Sequence, residues 1–230
     1  MYTKFKYITI LIVIVMGCTT ENVSPEDEAS LGLDYFPLEV GRYVEYAVEQ
    51  TIYDVFGEAS SVFQLKTVIA DSFVTNDYIT YVLRSYNRNS DVEPWQLVAV
   101  WGVNVFDNTL IVQQGNISFS KLKFPVKEGS TWDGNAYNLL EEDEYEMKNV
   151  NQSYTLLANS FPETVTVIQH ENLDVLVETD YRTEVYAKEV GLIYQEIQQI
   201  MYCTQVDCFS QQIIDEGIIY KQTIITYGKE

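Results

Sequence analysis

The chain has 230 residues, of which 47% are hydrophobic, and its 34 acidic and 14 basic side chains give a net charge of −20. A chain this acidic is repelled by nucleic-acid phosphates and by anionic lipid surfaces, which argues against nucleic acid as a partner. The hydrophobic fraction is nevertheless sufficient for a globular core.

The N-terminus carries a short apolar run that follows Lys4 and Lys6 and ends at Gly17-Cys18. Ten helical residues cover only about 15 Å, half of the roughly 30 Å of a bilayer core, so the run is too short to cross a membrane. A basic start, a short apolar run and a small residue at its end are the parts of a secretory signal. Because Val15-Met16-Gly17-Cys18 also resembles a bacterial lipobox, we predict that residues 1–17 are a lipoprotein signal peptide and that Cys18 is lipidated. An ordinary signal peptide cut elsewhere is the alternative.

Residues 18–34 follow as a stretch rich in Ser, Glu, Asp, Asn and Thr. Such a composition cannot bury a core, so we predict a flexible acidic tether. Loss of residues 1–17 would leave a net charge of about −22, so acyl chains rather than charge would have to provide the membrane attachment. The predicted location is the cell envelope, lipid-anchored at the outer membrane, on either its periplasmic face or the cell surface.

From Tyr35 onward the dominant hydrophobic period is two, which is typical of half-buried β-strands. The clearest runs place on one face Val44, Tyr46 and Val48; Phe63, Leu65 and Ile69; and Trp95, Leu97, Ala99 and Trp101. Breakers such as FDNT, QQGN, HENLD and KEVG separate the runs and indicate roughly a dozen strands joined by hairpins. We therefore predict one all-β domain over residues 35–230, an antiparallel, strongly curved sheet forming a barrel or half-barrel, with a β-sandwich as second choice.

Two cysteines remain after Cys18, namely Cys203 and Cys208 in MYCTQVDCF. An oxidising periplasm would pair them, and their spacing suits a disulfide across a hairpin tip. A metal site is the weaker alternative, because two thiolates without a nearby histidine are an incomplete ligand set.

Loops gather at the mouth of a barrel, where ligands are often bound. Two aromatic-bearing connections are candidates here, the cysteine loop and the turn WDGNAYN. Tyrosine and tryptophan combine an apolar body with a polar tip, which suits ligand pockets, although strand propensity alone also explains many of the 18 tyrosines. The predicted binding-loop residues are Trp132, Tyr137, Tyr202 and Phe209.

Three segments, DYFPLEVGRYVEYAVEQTIYD, FPVKEGSTWDGNAYN and EVYAKEVGLIYQE, resemble segments of uncharacterised envelope lipoproteins of the Bacteroidota type, in which a lipobox precedes a mostly β domain. The resemblance extends over most of the mature chain. It implies an envelope lipoprotein and supplies no activity.

Catalytic motifs are scarce. His170 is the single histidine and stands among turn-forming residues in IQHENLD, which favours a solvated turn position over a catalytic relay. The sequence contains no G-x-S-x-G, phosphate-binding glycine loop or H-E-x-x-H. We therefore predict a non-enzymatic β scaffold, without cofactor or metal, that binds an envelope protein partner or a small apolar ligand. The alternative is a carboxylate-dependent hydrolase acting on glycans, which needs two facing acids.

Overall fold

A computed structural model describes residues 31–75, 78–157 and 159–230. These residues form twelve β-strands and one 3₁₀ turn at Leu33–Tyr35. The strands, named β1 to β12 in chain order, are Arg42–Asp54, Gly57–Thr75, Tyr78–Arg88, Gln96–Phe106, Thr109–Gln114, Ile117–Lys123, Thr131–Asp133, Glu144–Leu156, Asn159–Asp174, Glu178–Ala187, Gly191–Tyr202 and Ile214–Lys229. The described part of the chain contains no helix that is long and apolar enough to cross a membrane.

All twelve strands belong to one antiparallel sheet, in the order β6-β5-β4-β3-β2-β1-β12-β11-β10-β9-β8-β7. Its two edges, β6 and β7, lie next to each other. The backbone N–H of Ser120 on β6 donates to the carbonyl of Gly134, just after β7, at 2.9 Å, and the indole N–H of Trp132 donates to the carbonyl of Ser120, also at 2.9 Å. The sheet is therefore a nearly closed barrel, which confirms the predicted fold class.

The hairpin turns explain why the strands end where they do. Asp107 and Asn108 both have positive φ, 48° and 54°, as a two-residue turn of type I′ requires, and they connect β4 to β5 at the predicted FDNT breaker. HENLD, in contrast, is not a turn, because β9 continues to Asp174. His170 pairs with Arg182 of β10 in the sheet, so its predicted turn position is wrong.

The predicted inward faces are correct where the strands are regular. Leu65 and Ile69 point into the barrel, whereas Lys66 lies on its outer side. The prediction fails at β4, where Trp101 points inward but Trp95, the residue just before the strand, lies on the outer side. The pairing skips one residue there, a β-bulge that reverses the alternation of side chains.

One part of the barrel is buried on both faces. The residues from Thr183 to Ala187 are all buried, which alternation alone does not explain. Glu184 points into the barrel, so its neighbour Val185 points outward. Val185 pairs with Tyr194 of β11, and the ring centre of Tyr194 lies 6.3 Å from that of Tyr154 on β8. The outer part of the β8–β9 hairpin thus covers β10 and β11.

The segment before β1 belongs to the folded domain. The carbonyl of Leu31 accepts the Val126 N–H at 2.9 Å, and the carbonyl of Asp34 accepts the Glu189 N–H at 2.8 Å. Tyr35 is buried and donates its hydroxyl to Asn151 at 2.9 Å. The last four residues of the predicted tether, 31–34, therefore pack on the barrel; Cys18 and the rest of residues 1–30 lie outside the described residues.

Candidate functional site

The barrel contains a cavity of about 170 Å³. Its apolar wall is formed by Leu65, Ile69, Leu83, Trp101, Val112 and Leu192. For scale, an engineered apolar cavity of about 150 Å³ in another protein is large enough to bind benzene. The cavity can therefore hold a ring or a short branched chain.

The cavity lies towards one end of the barrel. Arg42 and Val44, at the start of β1, and Gly191, at the start of β11, line it, and Phe36 and Pro37 from the segment before β1 extend over it. The entrance is therefore framed by this N-terminal segment and by the turn between β10 and β11.

A group of polar side chains interrupts the apolar wall. The carboxylate of Glu184 on β10 is only 2% exposed and accepts three hydrogen bonds, from Lys121 Nζ at 2.7 Å, from the Gln195 amide at 2.9 Å and from the Tyr186 hydroxyl at 2.5 Å. Removing an unpaired carboxylate from water costs several kcal/mol, so the three donors are what make this position tolerable.

A β-bulge places Lys121 in this group. Leu110 pairs with Leu122 and Ile111 pairs with Ser120, so Lys121 is the extra residue of β6. In a regular strand Lys121 would point to the opposite face from its buried neighbour Leu122. Bulges of this kind redirect side chains and are frequent beside functional sites.

Buried tyrosines complete the polar side of the cavity. Burial raises the pKa of Tyr186 well above its usual value, and the adjacent charge of Glu184 raises it further. Burial also raises the pKa of Tyr46, and that of Tyr220 to about 12. All three are neutral donors at physiological pH; Tyr46 bonds the Leu192 carbonyl at 2.9 Å and Tyr220 bonds the Gln222 side chain at 2.7 Å.

None of the four predicted binding-loop residues lines the cavity. Trp132 closes the barrel at the β6–β7 edge and contacts Tyr145 edge to face, with 5.8 Å between ring centres, while Tyr137 contacts Phe106 edge to face, with 6.1 Å between ring centres. The Tyr202 hydroxyl lies 3.3 Å from Thr179 Oγ1, and Phe209 is about half exposed. The two connections that carry them lie at the same end of the sheet, and the cavity opens towards the other end.

The structure joins Cys203 and Cys208 by a disulfide, with 5.9 Å between their Cα atoms. The two residues lie in the connection between β11 and β12, and the Cys203 N–H donates to the carbonyl of Ile213 at 2.8 Å. The disulfide therefore constrains the loop at the hairpin end, as the sequence predicts.

A second cluster of charged residues lies away from the cavity. Arg182 holds Asp143 with two hydrogen bonds, at 2.7 and 3.1 Å, and also bonds Asp180 at 2.8 Å. His170 Nδ1 is 3.7 Å from the same Asp143. Across residues 31–75, 78–157 and 159–230, no group of three or more His, Cys, Asp and Glu is arranged to hold a metal ion. The ion pairs of Arg182 join the β7–β8 connection to β10, and His170 of β9 lies beside them.

No protein-family model matches the chain, and no curated protein matches its sequence. The fold is similar to two solved structures. One is a Bacteroides fragilis protein inferred to be exported, with a YmcC-like fold (TM-score 0.45, 11% identity, 84% of this chain and 98% of that one). The other is a Parabacteroides distasonis protein inferred to be a lipoprotein (TM-score 0.40, 10% identity, the same coverage). Likenesses of this degree say nothing about the activity of this chain.

Proposed function

We propose that this protein is a lipid-anchored lipoprotein of the cell envelope whose barrel binds a small, mainly apolar molecule without transforming it. The observation that carries the proposal is the internal cavity of about 170 Å³, with its wall of aliphatic and aromatic side chains and one group of buried polar residues. Concave, mostly apolar pockets with a few convergent polar groups are the usual form of small-molecule sites.

The hydrolase alternative finds less support in the cavity. Glycan hydrolysis requires two carboxyl groups on either side of the scissile bond. Among the described residues that line the cavity, Glu184 is the single carboxylate, and its oxygens accept hydrogen bonds from three donors. A protein partner remains a prediction that the cavity does not address.

Membrane attachment is proposed from the apolar run that ends at Gly17-Cys18, since the net charge of −20 offers no electrostatic attraction to a lipid surface. We expect Cys18→Ala to release the protein from membranes in fractionation. A Cys18→Ala variant that still sediments with membranes contradicts the anchor.

Binding is tested by native mass spectrometry of the full protein, purified from membranes in mild detergent. The expected result is an added small mass that organic extraction removes. The added mass should be absent from Val112→Phe, because the new ring fills the cavity, and present in Val100→Phe, because Val100 lies on the exposed outer side of β4. A guest that survives Val112→Phe, or its absence from the wild-type protein, contradicts the proposal; glycan cleavage lost in Glu184→Gln would establish the hydrolase instead.

A further inference from the structure

The binding of an apolar molecule does not by itself require the buried ion pair between Lys121 and Glu184 in the cavity. Lys121 comes from edge strand β6 and Glu184 from β10, which are not neighbours in the sheet, so the pair joins two strands across the closure of the barrel. Buried ion pairs contribute little net stability compared with apolar residues of similar size. A bulge that directs a lysine into the cavity therefore calls for a role beyond stability.

Glu184 uses most of its hydrogen-bonding capacity, whereas Lys121 uses only part of its own. Glu184 accepts three hydrogen bonds, two at Oε1 and one at Oε2, which fill three of its about four acceptor sites. The ammonium of Lys121 has three N–H groups, and among the described residues its one hydrogen-bond acceptor is Glu184. The other two N–H groups have no oxygen acceptor among the described residues, although the ring of Phe119 lies 5.7 Å from Nζ, so Lys121 can still donate to a guest at the polar side of a cavity whose remaining wall is mainly apolar.

The net charge of the Lys121–Glu184 pair determines which kind of hydrogen-bond acceptor a guest molecule can bring into the cavity. Lys121 and Glu184 together are neutral, so a guest with a neutral oxygen acceptor adds no charge to the interior. A carboxylate would add one negative charge beside Glu184 in a site of low polarity, which is unfavourable. A hydrocarbon of the same shape would leave the two donors without an acceptor.

We propose, on the basis of the binding function above, that the cavity selects small apolar molecules carrying one neutral carbonyl-type or ether-type oxygen, and that Lys121 is the residue that recognises this oxygen. Glu184 is a positioning residue, which together with Gln195 and Tyr186 fixes the ammonium and balances its charge.

Three probes of matched size separate the possibilities when titrated into the full detergent-solubilised protein at neutral pH: acetophenone, its hydrocarbon analogue α-methylstyrene, and benzoate. We expect acetophenone to bind at least about tenfold more tightly than α-methylstyrene, because a hydrogen bond to a charged donor stabilises the complex. Benzoate should bind more weakly than acetophenone. The ¹³C carbonyl resonance of acetophenone should move downfield on binding, which reports the hydrogen bond without any mutation.

The variant Lys121→Met/Glu184→Gln removes the charges together and keeps the cavity. It should bind α-methylstyrene at least as well as the wild type and lose the preference for acetophenone. Equal binding of acetophenone and α-methylstyrene to the wild type, a preference that survives in the double variant, or tighter binding of benzoate would each overturn the inference while leaving the binding function intact. If the wild type binds none of the three probes, the binding function itself fails.

Discussion

Gly134 stands at the closure of the barrel, and replacing it with alanine tests how tightly the two edges meet. Its carbonyl accepts the Ser120 N–H, and a Cβ built at this position lies closer than 3.0 Å to three atoms of the buried Tyr145 ring. Because Tyr145 is packed against Trp132, the ring has little room to move. Overpacking of this kind costs about 1–3 kcal/mol, and a lost backbone hydrogen bond about 1 kcal/mol more. We expect Gly134→Ala to lower the free energy of unfolding by about 2–4 kcal/mol.

Gly102 on β4 provides the matched control. A Cβ there has its nearest neighbours at an ordinary 3.6 Å, and alanine in a strand loses less chain entropy on folding than glycine. Urea unfolding should therefore show Gly102→Ala within about 1 kcal/mol of the wild type. If Gly134→Ala is as stable as Gly102→Ala, the tight closure at β6 and β7 is refuted.

Three further results are expected. Because the Cys203–Cys208 disulfide closes only a short loop, its reduction should cost only about 2 kcal/mol, seen in calorimetry as a Tm lower by roughly 4–8 °C; an unchanged Tm would show that the bond does not constrain the fold. Burial raises the pKa of Tyr186 and Tyr220 above the unfolded value of about 10, so their contribution to stability is complete below that pH and is lost above it, by up to about 1.4 kcal/mol per pH unit for each tyrosine. Urea titrations from pH 8 to 11 measure this slope, and a flat profile would contradict the burial. Lys121→Met alone leaves Glu184 without its counter-charge and should cost about 3–5 kcal/mol, whereas the double variant should lie near the wild type; equal losses would show that the charges are not coupled.

The sequence predicts the strands and a strongly curved antiparallel sheet, a barrel or half-barrel, because hydrophobic alternation and turn residues are local patterns. Closure is not predicted, because it depends on hydrogen bonds between the two edge strands, β6 and β7. Alternation identifies inward residues such as Leu65 and Ile69, and the Asp107-Asn108 turn gives the register of its hairpin. The polar composition of residues 18–34 as a whole predicts a tether, yet its last four residues, 31–34, pack on the barrel through backbone hydrogen bonds that composition does not reveal.

The polar group of the cavity could not be predicted, because it depends on a bulge. Alternation from Leu122 directs Lys121 outward, and only the skipped residue in the β5–β6 pairing turns it inward. Glu184 belongs to a strand that is buried on both faces, where alternation between polar and apolar residues no longer marks the interior. Side-chain chemistry alone favours the aromatic residues of the loops, whereas the buried tyrosines that line the cavity, Tyr46 and Tyr186, lie on strands.

The central claim is that the interior of this barrel binds a small apolar molecule. Calorimetric titration of α-methylstyrene into the wild type, Val112→Phe and Val100→Phe tests it most directly, because the two variants add the same ring to the inside and to the outside of the barrel. The account predicts saturable binding of one molecule to the wild type and to Val100→Phe, and none to Val112→Phe. Binding that is equal in all three proteins, or absent from the wild type, would contradict it.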